Sequence, residues 1–150
     1  MIKFKKTILI YIPTFNCEKK ILNVLSSIPD QLHDQIECLV IDNQSSDNTW
    51  ELLVNNLYGF RNKFDLKIIR TKENIGYAGS QKLAYSIALE NKSVKYVSML
   101  HGDGQYDSKF LPDLIEKIKN NFALVNGFRD KNTFPNEEET PLHTYYIIRF

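Results

Sequence analysis

Five short runs of apolar residues divide the chain, and each is bounded by polar or turn-forming residues. They cover residues 7–12, 36–41, 66–69, 94–100 and 122–125. A short, continuous apolar run is typical of a strand that is covered on both faces of its sheet. The runs therefore predict five buried strands.

Between these runs, apolar residues recur at intervals of three or four, which indicates helices with one inward face. The inward residues are Ile21, Leu22, Leu25 and Ile28; Trp50, Leu53, Val54 and Leu57; Leu83, Ala84, Ile87 and Ala88; and Leu111, Leu114, Ile115 and Ile118. Pro29 ends the first helix, and a glycine-containing loop over residues 74–79 leads into the third. Alternating strands and helices predict an α/β fold, a three-layer α/β/α arrangement around a mostly parallel sheet.

Composition narrows the class of protein. The chain has 150 residues, 43% hydrophobic and 25% charged, which fits one globular domain over residues 1–150. A net charge of +1 argues against nucleic-acid binding. Cys17 and Cys38 give no disulfide framework, and no apolar run is long enough to span a bilayer. We therefore expect a cytoplasmic protein, either free or peripheral at the inner face of the membrane.

The distinctive polar segments follow the predicted strands. They cover residues 13–18, 42–47, 71–79 and 101–105. The carboxyl ends of parallel strands meet at one edge of a sheet, and open α/β sheets bind their ligands at that edge. Each segment alone is compatible with ordinary turn chemistry. Together they predict a ligand site.

Asp103 is the main candidate in this set, because it lies between Gly102 and Gly104 directly after an apolar strand. Mg²⁺ and Mn²⁺ prefer oxygen ligands, and a nucleotide's phosphates supply several of them. The glycines permit unusual backbone angles and close approach to a ligand. Gln105 offers a neutral oxygen as a second ligand. The alternative is a carboxylate that only caps a helix or a turn.

Other polar residues have two interpretations each. Asp42 either accepts a hydrogen bond from a base or a ribose, or closes an Asx-turn. Asp47 is either a ligand contact or a helix N-cap. Asn74 and Gly76 are expected to fold the backbone against the ligand. Lys82, placed in the first turn of the third helix, either faces a pyrophosphate or is solvated.

Two residues of these loops are given structural roles. His101 is read as a turn residue rather than a third metal ligand, because oxygen-preferring metals do not favour imidazole. Cys17 has no neighbouring base in sequence and is not expected to be a nucleophile. Asp107 and Asp130 are available as general bases, but no pattern marks either.

Four segments together resemble the family 2 glycosyltransferases, which have the Rossmann-like GT-A fold. They are residues 8–16 (ILIYIPTFN), 39–47 (LVIDNQSSD), 74–82 (NIGYAGSQK) and 101–106 (HGDGQY). The last two are most similar to the branch that contains polyprenyl-phosphate sugar transferases such as dolichol-phosphate mannosyltransferases. The resemblance covers residues 7–129, and four motifs in the right order are fairly specific.

The resemblance implies an inverting enzyme of cell envelope glycan synthesis. It would use a nucleotide-diphosphate sugar (UDP- or GDP-linked) and Mg²⁺ or Mn²⁺, with a polyprenyl phosphate or a glycan as acceptor. By position, Pro13, Phe15 and Asp42 would line the nucleoside pocket. Asp103 would be the catalytic residue that holds metal and diphosphate, assisted by Gln105. The matching loops also supply the substrate-binding positions Thr14, Asn16, Ser45, Asn74, Gly76, Gly79 and Lys82.

The chain departs from the family pattern at two positions. Cys17 follows Asn16 of the first loop, where many relatives have Glu. Glu18 is one position further along the chain, which weakens any functional role for it. His101 replaces the first carboxylate of the usual D-x-D motif. Metal binding is therefore expected to rest on Asp103 and Gln105 and on the nucleotide's own phosphates.

The sequence also predicts that an acceptor-binding half is missing after about residue 130, because residues 145–150 form an apolar run with no stop signal. Association with such a half, or self-association, would cover that run. Two alternatives to a glycosyltransferase stay open. One is a non-catalytic nucleotide-sugar-binding or assembly module. The other is a nucleotidyltransferase, although residues 13–16 lack the glycine-rich basic loop which that class usually shows.

Overall fold

Six strands form a single sheet in the computed structural model of the protein, which describes residues 2–120, 122–127 and 145–149. The strands are β1 (Ile8–Thr14), β2 (Ile36–Asp42), β3 (Asp65–Arg70), β4 (Tyr96–Met99), β5 (Leu124–Gly127) and β6 (Tyr145–Arg149). The helices are α1 (Ile21–Ser26), α2 (Thr49–Arg61), α3 (Gly76–Leu89) and α4 (Leu111–Lys119), with 3₁₀ turns at Asp30–Leu32 and Ser108–Phe110.

The sheet order is β3-β2-β1-β4-β6-β5. Strands β1 to β4 are parallel, and β6 runs antiparallel between β4 and β5. Helix α3 packs against β1 and β2, and α4 packs against β5 and β6. The predicted α/β fold with a mostly parallel sheet is confirmed. The apolar run near residue 145, which the sequence presented as an interrupted element, supplies the antiparallel strand.

The central strands are buried because their apolar runs face helices on both sides. Every residue of β2 is buried, and so is every residue of β1 except Pro13. Register then places the strand ends side by side, since Thr14 pairs with Asp42 and Asp42 pairs with Arg70. The segments that follow β1, β2 and β3 therefore leave the sheet at one level.

The prediction of a loop over residues 74–79 before the third helix is wrong. Helix α3 already begins at Gly76, which has a φ of 71°. Gly79 lies inside the helix, where a Cβ would come 2.8 Å from the Cβ of Ile75. Lys82 consequently lies in the second turn and not in the first, and its side chain is exposed.

The inward stripes of the helices are largely as predicted. Val54 is one exception, because it is 45% exposed on α2, and Ile28 is another, because it is buried but lies beyond the end of α1 at Ser26. Within the described residues, no helix combines the length and the apolar character that crossing a membrane requires.

Candidate functional site

Four strand-end segments meet around one cavity of about 310 Å³ at the carboxyl edge of the sheet. Its lining residues are Pro13, Thr14, Phe15, Cys17, Asn43, Asn74, Gly76, Tyr77, Ser80, His101, Gly102 and Asp103. Six of the predicted substrate positions are in this lining: Pro13, Thr14, Phe15, Asn74, Gly76 and Asp103. Five predicted substrate positions and the second metal ligand are not: Asn16, Asp42, Ser45, Gly79, Lys82 and Gln105.

Asn16 and Ser45 hold two loops together behind the cavity. The backbone N–H of Asn16 donates to Ser45 Oγ at 3.0 Å, and Ser46 N–H donates to Asn16 Oδ1 at 2.9 Å. Asn16 has a φ of 53°, a left-handed conformation that Asn tolerates better than most residues. The segments after β1 and β2 are therefore fixed to each other by these two residues.

Asp42 lies behind the cavity rather than in it. Its side chain is completely buried, and Oδ1 accepts from the N–H of Ser45 at 3.3 Å and from the Ser45 hydroxyl. Arg70 Nε lies 3.1 Å from Oδ2, an ion-pair distance, although the N–H is not directed as in a hydrogen bond. In this structure the carboxylate has no surface left for a base or a ribose, so the Asx-turn interpretation describes it better.

Asn43, the next residue, is the one that reaches the cavity. Its Nδ2 donates to Asn74 Oδ1 at 2.9 Å, and its Oδ1 accepts from the N–H of Ile75 at 2.9 Å. Asn74 Oδ1 also accepts from the N–H of Gly76 at 2.9 Å. This pair of amides therefore positions the start of α3, and Asn43 was not singled out from the sequence.

Asp47 holds the first loop and the start of α2. It accepts from Glu18 N–H at 3.1 Å and from Thr49 N–H at 3.0 Å. Burial alone would raise the pKa of Asp47, but hydrogen bonds from Thr49 and from the Glu18 backbone outweigh burial and lower it. Asp47 therefore closes a two-residue turn just before α2, whose N-cap position is Asn48 and not the predicted Asp47.

Cys17 lines the cavity, and its thiol is largely buried. Burial raises its pKa, so the nucleophilic thiolate is disfavoured at neutral pH. Its backbone N–H donates to Thr49 Oγ1 at 2.8 Å, which ties the first loop to α2.

Asp103 faces the cavity from the segment after β4. Its Oδ1 accepts from the N–H of Gln105 at 3.0 Å, and Gly104 makes the turn with a φ of 75°. Gly102 is needed for a different reason, since a Cβ there would lie 2.3 Å from Thr14 Cγ2. Gly102 therefore lets the segment pack on β1, and Gly104 provides the left-handed backbone angle.

The residues around Asp103 fit a divalent metal that arrives with a nucleotide. In the described part of the chain, no group of three or more His, Cys, Asp or Glu side chains is arranged to hold a metal. Mg²⁺ commonly binds through one or two carboxylates together with substrate phosphates. One carboxylate on the cavity wall satisfies that requirement, whereas an all-protein metal cage would need more ligands.

His101 does more than form a turn, because its ring lines the cavity beside two tyrosines. Nε2 lies 3.3 Å from Tyr77 Oη, and the His101 and Tyr106 ring centroids are 4.3 Å apart. Tyr77 Oη also lies 3.1 Å from Met99 Sδ. Tyr77, which the sequence analysis did not select, is half exposed at the cavity mouth, as is Phe15. Of the two general-base candidates, Asp107 pairs with Lys109 and Asp130 lies outside the described residues.

A Gly102→Ala substitution should destabilise the protein by about 1–3 kcal/mol, the usual cost of forcing an extra carbon into a packed site. The added Cβ would overlap Thr14 Cγ2 and come 3.1 Å from the Pro13 carbonyl oxygen. Urea unfolding measures the change. Gly59→Ala is the control, because a Cβ at this α2 position meets nothing within 4 Å and should stabilise by about 0.5–1 kcal/mol. Equal stability of the two variants would contradict the packing described for Gly102.

A mostly parallel sheet flanked by helices, with a cavity at its carboxyl edge, places the protein in the class of open α/β ligand-binding domains. The chain belongs to one family within it: the sequence model of "Glycosyl transferase family 2" matches residues 9–150. The family resemblance found in the sequence is therefore confirmed.

Curated relatives are distant and longer. The chain is 27% identical to a dolichol-phosphate mannosyltransferase of Pyrococcus furiosus, covering 80% of this chain and 32% of the relative. It is 28% identical to the Staphylococcus aureus poly(ribitol-phosphate) beta-N-acetylglucosaminyltransferase TarS, covering 75% of this chain and 18% of TarS. The chain thus spans less than a third of the length of these two enzymes.

Solved structures show the same fold. The mannosyltransferase PcManGT of Pyrobaculum calidifontis, in complex with GDP-Man and Mn²⁺, has a TM-score of 0.73 at 17% identity, covering 97% of this chain and 45% of that chain. TarS 1–349 in complex with UDP has a TM-score of 0.57 at 26% identity, covering 76% and 32%. The predicted GT-A fold is confirmed.

Proposed function

We propose that this domain binds a nucleotide-diphosphate sugar with a divalent metal and serves an inverting glycosyltransferase. The observation that carries the proposal is the convergence of four strand-end segments on one cavity with Asp103 on its wall. The parallel strands bring the four segments to one edge, and a cavity with polar lining at that edge is where open α/β sheets bind their ligands.

Sheet order suggests the orientation of the donor. Asp103 follows β4, whereas Asn43 and Asn74 follow β2 and β3 on the other side of β1. With the metal and diphosphate near Asp103, the nucleoside extends toward the two asparagines. Phe15 and Tyr77 then offer aromatic faces at the mouth, where a planar base or a sugar ring packs well.

Sugar transfer from a nucleotide-diphosphate donor requires the protein mainly to bind the donor and to stabilise charge on the leaving diphosphate. A divalent metal, when bound, neutralises the charge that develops on the leaving diphosphate. Asp103 would hold that metal together with the diphosphate. The close packing of Gly102 against Thr14 of β1 would keep Asp103 in place. If the acceptor is a polyprenyl phosphate, its oxygen is already anionic and needs no strong general base. If the acceptor is a glycan hydroxyl, a base is required.

The relatives suggest which donors to test. TarS has been crystallised with UDP and UDP-GlcNAc, and PcManGT with GDP-Man and Mn²⁺. UDP- and GDP-linked sugars are therefore the first candidates for this chain. A polyprenyl phosphate acceptor would place the reaction at a membrane surface on the cytoplasmic side.

Calorimetric titration with UDP, GDP, UDP-GlcNAc and GDP-mannose, each with and without Mn²⁺, tests the proposal. We expect one base to be preferred and Mn²⁺ to strengthen binding. A ligand at a hundredfold its dissociation constant should also stabilise the fold by about 2.7 kcal/mol. The proposal fails if no nucleotide diphosphate binds under either condition. Sugar transfer to polyprenyl phosphate or to simple glycans then separates an enzyme from a binding module.

A further inference from the structure

Ser80 is a buried polar residue on the cavity wall whose hydroxyl has no hydrogen-bond partner. Its side chain is 1% exposed, and among the described residues nothing donates to or accepts from its Oγ. Ser80 is also one of the residues that line the 310 Å³ cavity. Burying a hydroxyl without a partner opposes folding, so an unsatisfied one beside a ligand cavity calls for an explanation.

The position of Ser80 is set by the same contacts that fix the start of α3. Ser80 lies one turn after Gly76, whose N–H is held by Asn74, and Asn74 is held by Asn43. These contacts anchor the helix to the segments after β2 and β3. In the proposed donor orientation the nucleoside extends toward these two segments.

We propose that Ser80 Oγ hydrogen-bonds a polar group of the donor nucleoside and helps to select among bases. The proposal rests on the proposed function, because it needs a nucleotide in the cavity. A hydroxyl both donates and accepts, so it can pair with a carbonyl oxygen, a ring nitrogen or an amino group of the base. A site that leaves a buried polar group unpaired against the wrong ligand discriminates well against that ligand.

The diphosphate is the competing partner, since helix N-termini attract anions. The first amide of α3, at Gly76, already donates to Asn74 and is therefore not open to an anion. Metal dependence separates the two partners. A nucleoside contact contributes with or without Mn²⁺, whereas a contact to the diphosphate is strengthened or replaced when the metal binds.

Ser80→Ala tests the proposal, and Ser98→Ala is the matched control. Ser98 on β4 is also fully buried, and its Oγ likewise has no partner among the described residues, but it does not line the cavity. We expect Ser80→Ala to lower the affinity for the preferred nucleotide diphosphate about tenfold, equally with and without Mn²⁺. The difference in affinity between UDP and GDP should become smaller. Its melting temperature without ligand should not fall, because the lost hydroxyl was unpaired. Ser98→Ala should bind as the wild type does.

Each result has a defined meaning. Unchanged affinity in Ser80→Ala, or a loss seen only with Mn²⁺, overturns the nucleoside contact while the proposed function stands. Wild-type protein that binds no nucleotide diphosphate overturns the proposed function itself. Ser80→Cys keeps a side chain of similar size with a weaker hydrogen-bond donor, so its affinity should be intermediate. It tests the same contact if the alanine variant folds poorly.

Discussion

Asp103→Asn should reduce nucleotide-diphosphate affinity in the presence of Mn²⁺ by roughly 100-fold, about 2.7 kcal/mol. Affinity without metal should change little. The physical reason is that an amide oxygen is a much weaker ligand than a carboxylate for a hard cation. Asn retains an oxygen that accepts from the N–H of Gln105, so the turn after β4 should survive and only the charge should be lost. Calorimetry with the preferred nucleotide measures both conditions.

Asp107→Asn is the matched control for this experiment. Asp107 accepts from the N–H of Lys109 at 3.0 Å, the same two-residue turn that Asp103 makes, but it does not line the cavity. Its substitution removes a carboxylate from the same stretch of chain and should leave metal-dependent affinity intact. Retention of the full Mn²⁺ effect in Asp103→Asn would refute the metal role.

Arg70→Met should destabilise the protein by about 2–3 kcal/mol. Breaking a fully buried ion pair typically costs about 3–5 kcal/mol, because an unpaired charge remains inside. The expected value is lower here because Arg70 keeps 30% of its side chain exposed, whereas Asp42 is completely buried. Arg70 NH2 also donates to the Ser45 carbonyl at 2.7 Å, and that bond would be lost as well.

Urea unfolding of three variants separates these contributions. The double variant Asp42→Asn with Arg70→Met should recover part of the loss, because it no longer leaves a buried charge unpaired. Lys109→Met removes the cation of a solvated pair, in which both side chains are about half exposed or more, and should cost less than about 1 kcal/mol. If Arg70→Met cost no more than Lys109→Met, Asp42 would not depend on its arginine as the structure indicates.

The sheet was predictable because its strands are uniform apolar runs, and such runs have few other uses in a chain of this size. The start of α3 was not predictable in the same way. Gly76 and Gly79 are typical of loops, and only the amides of Asn43 and Asn74 show why a helix begins there. The two contacts of Asn43, to Asn74 and to the N–H of Ile75, join residues 31 and 32 apart in sequence, so local helix propensity does not report them.

The same limit applies to the site. Sequence order correctly brought the four polar segments to one edge, because parallel strands must end there. It did not separate Asp42 from Asn43, since that requires knowing that Ser45 and Arg70 hold the carboxylate behind the cavity. Tyr77 was missed because only Asn74 and the glycines of the 74–79 loop were taken as ligand contacts, and Ser80 was missed because it follows that loop.

The hydrogen bonds between loops affect how such a domain changes its donor during evolution or design. Asn16 joins the segments after β1 and β2, and the amides of Asn43 and Asn74 join those after β2 and β3. A loop that is exchanged alone would lack the hydrogen-bond partners on the neighbouring loops that fix its conformation. The transferable unit is therefore the whole sheet edge, and substitutions that alter donor choice without disturbing it are most readily found at lining side chains that bond to no other loop.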